Sequence, residues 1–235
     1  MTHAILASTS TLHGQDYLEY LIPHLPELYQ GIDEILFIPY ARPGGISHGE
    51  YTAKASEAFS KAGIKVKGIH EFENHAKAVT DAKGIFTGGG NTFLLVSELY
   101  RNKVMNVLKE VVKNGTPYMG TSAGTNIGGL SMQTTNDMPI VYPPSFKTLG
   151  LVPFNINPHY LDPDPESKHK GETRETRIKE FHGLNSQPVI GLREGSWLEL
   201  NDNKVTLKGK LRARIFEKDK VPFEVETETD LSDLN

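Results

Sequence analysis

Apolar residues in this chain come in short blocks, separated by stretches where they recur every three or four positions. The blocks at 3–8 (HAILAS), 34–41 (EILFIPYA), 65–70 (KVKGIH), 84–88 (GIFTG) and 116–121 (TPYMGT) have the length and composition of strands. Between the first two, Tyr17, Leu18, Tyr20, Leu21 and Ile22 follow helical spacing. The stretches 51–63, which stops on a glycine, and 74–82 read as helices. So does 92–113, with a break near Asn102. Strands alternating with helices of this length predict an α/β fold: a mostly parallel sheet with helices on both faces. In such sheets ligands bind at the carboxyl ends of the strands. Two glycine clusters, 88–90 and 120–124, fall at predicted strand ends.

The pattern changes after about Leu130. Segments become short and proline-rich (MPIVYPPS, LVPFNINPH, LDPDPES). One further helix is predicted over 172–183, with a basic outer face. Strands follow at 188–192, 196–200, 203–209 and 212–218, the last three as hairpins or a meander. The C-terminal portion is thus β-rich. The acidic tail, 224–235, is expected to fray. With no internal repeat and no low-complexity linker, 1–235 is expected to form a single α/β domain.

Length and composition narrow the function. A chain of 235 residues buries a sizeable core without staples. Its net charge of -4 and the lack of a basic stripe argue against nucleic acid as a partner. No stretch approaches the apolar length of a membrane span. The start has no basic flank of the kind a signal peptide carries, so a cytoplasmic protein is expected. There is no cysteine, which excludes disulfides, thiolate nucleophiles and thiolate metal sites. Oligomeric state is not readable from the sequence.

The chemistry concentrates in a few places. Gly120-Thr121-Ser122-Ala123-Gly124 is G-x-S-x-G after a predicted strand and before a helix. A nucleophile on such a turn needs small neighbours two positions away. The following helix start offers N–H groups to a developing oxyanion. The other cluster, Thr87-Gly88-Gly89-Gly90-Asn91-Thr92, lacks the lysine of a P-loop, and Phe93 stands where a dinucleotide motif needs its last glycine. It reads better as a loop that approaches the substrate, with a Gly89 or Gly90 N–H joining that of Ala123 in an oxyanion hole. A tight turn made for packing is the plainer alternative.

A serine nucleophile needs a base, and the base an orienter. Of nine histidines, His159 in Asn157-Pro158-His159-Tyr160 is the preferred base, since it follows an apolar run and a proline. His3 and His13 lie near the first strand, while His169 and His182 sit in polar helical surroundings. Two acids qualify as orienter: Asp137 in Asn136-Asp137-Met138-Pro139, and Glu194 in Arg193-Glu194-Gly195-Ser196-Trp197. A turn-capping aspartate and an exposed hairpin glutamate are their plainer readings. Metal catalysis has poor support, with no H-E-x-x-H and no helical histidine pair, so neither metal nor cofactor is expected.

These motifs together resemble a known family. Gly88-Gly89-Gly90-Asn91-Thr92-Phe93, GTSAGTN (120–126), TTNDMPIV (134–141), INPHY (156–160), KGETRETRI (170–178) and Arg193-Glu194-Gly195-Ser196-Trp197 follow one another as in the serine peptidases that include the cytoplasmic α-aspartyl dipeptidases (peptidase E) and cyanophycinase. The resemblance runs from about Leu6 to Leu200. It implies a sandwich like that of class I glutamine amidotransferases, with serine in place of their elbow cysteine. It implies hydrolysis of dipeptides with an N-terminal aspartate, Ser122 as nucleophile and His159 as base. Asp137 and Glu194 both match positions important in the family, with Glu194 favoured as the direct histidine partner. A cation must then read the substrate aspartate. Arg174 and Arg177, three apart on one helix face, are the candidates, unless they only pair with Glu172 and Glu175 in solvent. Asn91 is a candidate for binding the substrate amine or side chain. A cyanophycinase-like cut of β-Asp-Arg units and a non-catalytic binding role on the same fold are the alternatives. The acidic, proline-rich 160–169 departs from the pattern and is a candidate lid.

Overall fold

The computed structural model describes residues 2–163 and 171–234. Seven strands form the larger sheet: β1 (His3–Ala7), β2 (Glu34–Ile38), β3 (Lys65–Gly68), β4 (Ile85–Thr87), β5 (Tyr118–Thr121), β8 (Ser196–Asn201) and β9 (Lys204–Gly209), in the order β3-β2-β4-β5-β1-β8-β9. The first five are parallel, and β8 and β9 are antiparallel additions. A second sheet holds β6 (Asn155–Pro158), β7 (Val189–Leu192), β10 (Ala213–Phe216) and β11 (Phe223–Val225), in the order β11-β10-β7-β6.

The apolar runs of the parallel strands are continuous because both faces are covered. The pleat divides them. On β1, Ala4 and Leu6 join one core cluster, while Ile5 and Ala7 join the other. On β2, Leu36 and Ile38 oppose Ile35 and Phe37 in the same way. One face carries α1 (Leu25–Leu28) and α2 (His48–Ser60), which buries Tyr51, Ala55, Ala58 and Phe59. The other carries α3 (His75–Asp81), α4 (Thr92–Arg101), α5 (Val104–Lys113) and the short α6 (Ala123–Asn126), with the second sheet beyond. The outer side of that sheet packs on α7 (Arg174–Leu184), through Ile178 and Phe181 against Val189 and Phe216.

Local sequence explains the helix starts. Ser47 and Glu50 make a reciprocal capping box for α2, and Asn74, Asn91 and Thr173 cap α3, α4 and α7. The expected break near Asn102 is there: Lys103 turns left-handed (φ 58°) between α4 and α5.

Three expectations change. The apolar positions at 17–22 are mostly buried, but the chain there runs through turns and a 3₁₀ turn (Ile22–His24) rather than a long helix. Pro23 and Pro26 and a positive φ at Leu18 deny it a continuous hydrogen-bond ladder. Strand β10 does not continue the β8-β9 hairpin; it crosses to the second sheet and pairs with β7. The tail expected to fray is packed as far as it is described. Glu224 and Val225 lie in β11, Asp230 bridges Thr206, and Leu231 is buried against the core. The proposed lid falls mostly on 164–170, outside the described residues.

Candidate active site

Strands β4, β5 and β1 end side by side, with Thr87 opposite Gly120 and Ala7 opposite Thr121. Ser122 is the next residue, between β5 and α6. Its backbone (φ 54°, ψ -110°) lies in a region that residues with a side chain rarely adopt. The flanking glycines are required by close approach: a Cβ on Gly120 would run into the Gly124 carbonyl, and one on Gly124 into the Thr87 carbonyl. The turn lifts the Ser122 hydroxyl off the end of the sheet.

The second sheet delivers the partners by register. β6 and β7 are parallel with Pro158 opposite Leu192, so the residues that follow them emerge together. His159 Nε2 lies 2.8 Å from Ser122 Oγ, and His159 Nδ1 lies 2.6 Å from Glu194 Oε1. With the proton on Nδ1, the ring donates to Glu194 and accepts the Ser122 hydroxyl. The histidine backbone is itself left-handed (φ 54°). Ser8, at the end of β1, holds it: Ser8 Oγ accepts the His159 N–H at 2.9 Å and donates to the Leu192 carbonyl at 2.7 Å. Ser8 was missed in the sequence; the only signal is a small hydroxyl directly after an apolar strand that points at the site.

Asp137 does not touch His159. Its Oδ2 accepts the Thr92 N–H (2.7 Å), the Thr92 hydroxyl (2.6 Å) and the Thr135 hydroxyl (3.0 Å). It therefore fastens the 134–137 segment to the start of α4, where a negative group also suits the helix dipole. The rest of the segment grips β6: the Thr134 hydroxyl donates to the Ile156 carbonyl, and Asn136 Nδ2 to the Pro158 carbonyl at 2.6 Å. The Thr-Thr-Asn-Asp run is thus a strap between the histidine strand and the glycine-rich loop. Of the two candidate orienters, the geometry brings only Glu194 to the ring.

The 88–90 loop lies directly against the serine. A Cβ on Gly89 would stand 2.8 Å from Ser122 Cβ, and one on Gly90 (φ 144°) would overlap the Ala41 carbonyl. The N–H groups of Gly89, Gly90 and Ala123 have no hydrogen-bond partner among the described residues, which leaves them available as donors. Asn91 caps α4: its Oδ1 accepts the Leu94 N–H and its Nδ2 donates to the Met138 carbonyl.

The two candidate arginines separate. Arg177 is exposed, 3.8 Å from Glu172, and belongs to the solvated face of α7. Arg174 is half-buried and makes no ion pair among the described residues; burial and then Arg177 lower its pKa, while the Asp137 charge raises it. Arg193 braces the acid's turn. It binds Asp162 at 2.8 and 2.9 Å and Glu224 at 2.7 and 2.9 Å, and these bonds hold both carboxyls below their usual range. Among the described residues no group of three histidine or acidic side chains is placed to hold a metal. No helix there is long and apolar enough to cross a membrane.

The profile of peptidase family S51 matches residues 4–208. The chain belongs to that family. It is 49% identical over 230 residues to a peptidase E of Streptomyces coelicolor, covering 98% of this chain and 93% of that protein. A Drosophila melanogaster protein named probable alpha-aspartyl dipeptidase is 45% identical over 218 residues, covering 92% and 90%. The solved structure of a peptidase from an acI-B1 actinobacterium shares the fold, with a TM-score of 0.68 at 16% identity over 98% of this chain and 96% of that one. The S51 assignment agrees with the serine peptidase resemblance carried by the glycine loop, the elbow and the Asn-Pro-His run.

Proposed function

We propose that this S51 peptidase is a cytoplasmic serine dipeptidase that hydrolyses peptides of the form Asp-X through an aspartyl ester on Ser122. The observation that carries the mechanism is the continuous contact Ser122 Oγ–His159 Nε2–Glu194, built on a strained serine backbone. The names of the relatives supply the substrate class.

In the acylation step His159 takes the Ser122 proton as Oγ bonds to the peptide carbonyl carbon. Glu194 steadies the imidazolium that forms. The oxyanion is met by the Ala123 N–H and a glycine N–H of the 89–90 loop, each worth about 3 kcal/mol at the transition state. The C–N bond then breaks, His159 passes its proton to the leaving amine, and water repeats the sequence to free aspartate. Arg174 holds the substrate's side-chain carboxylate; it is the arginine of the pair that is half-buried and free of an ion pair among the described residues.

The test is a substrate panel of Asp-Leu, Asn-Leu and β-Asp-Arg. Wild type is expected to cleave Asp-Leu best, and Arg174→Met to lose most of its preference for Asp-Leu over Asn-Leu. Preferred cleavage of β-Asp-Arg would move the substrate to isopeptides. An Arg174→Met enzyme with unchanged preference would remove that residue from the reading.

A further inference from the structure

An Asp-X dipeptide carries two carboxylates, and Arg174 accounts for one of them. The other is the free carboxylate of the leaving residue, two bonds from the scissile nitrogen. A contact to this group would favour a dipeptide over a longer chain, which carries a peptide bond in its place. Most arginines here are already committed: Arg101, Arg177, Arg193, Arg212 and Arg214 each face a carboxylate. Arg42 and Arg174 are the two arginines with no ion pair among the described residues.

Arg42 follows β2 at the carboxyl end of the sheet, and its backbone neighbourhood is part of the glycine loop. The Ala41 carbonyl accepts the Asn91 N–H at 2.7 Å and fills the space that a side chain on Gly90 would need. The Arg42 guanidinium lies 4.9 Å from the centre of the Tyr51 ring. The Tyr51 hydroxyl in turn donates at 3.2 Å to the carbonyl of Gly89, the residue that lies against Ser122. The ring gives the cation a platform without neutralising it. A second aromatic, Tyr17, meets Tyr51 hydroxyl to hydroxyl at 3.4 Å and carries Lys54 5.1 Å from its centre. This rim therefore carries two cations, and it lies beyond the end of β2 and along α2, whereas Arg174 starts α7.

We propose that Arg42, poised on Tyr51 beside the glycine loop, binds the α-carboxylate of the leaving residue and so confines cleavage to dipeptides. This rests on the Asp-X reading above. A planar guanidinium suits it, since two parallel N–H donors match a carboxylate.

The experiment compares Asp-Leu with Asp-Leu amide, which lacks only the terminal charge. Wild type is expected to favour the acid by about ten- to hundredfold in kcat/KM, the usual range for a charge-assisted hydrogen-bonded contact. Arg42→Met should bring the two substrates to near parity, by raising KM far more for the acid than for the amide. Arg42→Lys should keep part of the preference, and Lys54→Met nearly all of it. If wild type cleaves both equally, or if Arg42→Met slows both alike, the proposal is overturned. If the preference collapses in Lys54→Met instead, Arg42 is the wrong cation. Failure of wild type to cleave either substrate would sink the Asp-X reading itself, a different result from cleavage without discrimination.

Discussion

At the scale of single residues, two acids share a motif-rich neighbourhood and do different work. Glu194 contacts the imidazole at 2.6 Å, whereas Asp137 accepts three donors at the start of α4. Glu194→Gln keeps a hydrogen-bonding side chain but no charge for the imidazolium, so kcat should fall on the order of 10²–10⁴-fold with little loss of stability. Asp137→Ala leaves Thr92 N–H and two hydroxyls without their acceptor. It should cost about 1–3 kcal/mol of stability while the remaining folded enzyme keeps more activity than Glu194→Gln. Thermal melts and kcat on both variants decide this, and a well-folded Asp137→Ala slower than Glu194→Gln would reverse the assignment. Ser122 stood out by its G-x-S-x-G turn at a strand end and His159 by its apolar run, its proline and the family motifs, and the two side chains do meet. The residues alone left Asp137 and Glu194 open and only the family resemblance favoured Glu194, since which acid meets the ring depends on the register of β6 against β7, and nothing local encodes it.

At the scale of elements, the turn that carries Glu194 is braced by a clamp rather than by a strand. Arg193 ties this turn to Asp162, just beyond His159, and to Glu224 on β11. Both carboxyls are held low chiefly by their bonds to Arg193. A carboxyl depressed in the folded protein binds fewer protons there than in the unfolded chain. Its contribution is therefore complete above the ordinary carboxylate range, about pH 4–5, and is lost as pH falls through its depressed folded value. The Asp162 side chain is half-exposed, so its share is reduced by solvent. Arg193→Met should be less stable than wild type at neutral pH and lose less stability between about pH 5 and 3. Urea unfolding across that range would show converging curves, and parallel curves would deny the clamp this role. The same clamp explains why the tail was misread. Its acidic composition suggests solvation, but Glu224 is a partner of Arg193 and Arg214, and Leu231 finishes the core beside β9. Similarly, helical spacing at 17–22 marked the right buried residues without the right backbone, because prolines veto a helix that periodicity alone would allow.

At the scale of the whole molecule, the site exists because two sheets end at one place. The parallel strands bring Ser122, the 88–90 loop and Ala41 to the edge of the first sheet; β6 and β7 bring His159 and Glu194 to the edge of the second. The first sheet was readable from the alternation of strands and helices. The second was not, since its four strands are short and β10 leaves its hairpin neighbour to join it. Besides the shared apolar core, the sheets are tied by hydrogen bonds from small polar residues, Ser8 to Leu192 and, from α6, Asn126 to Ile156, which no periodicity announces. On the proposed mechanism, the meeting of the two sheets aligns Ser122 as the attacking group. The most direct measurement is turnover of Asp-Leu by Ser122→Ala, with the variant's fold verified by its melting curve. A fall in kcat on the order of 10⁴-fold or more, with the fold intact, is the predicted result. Near-native turnover by the folded variant would rule out Ser122 as the nucleophile.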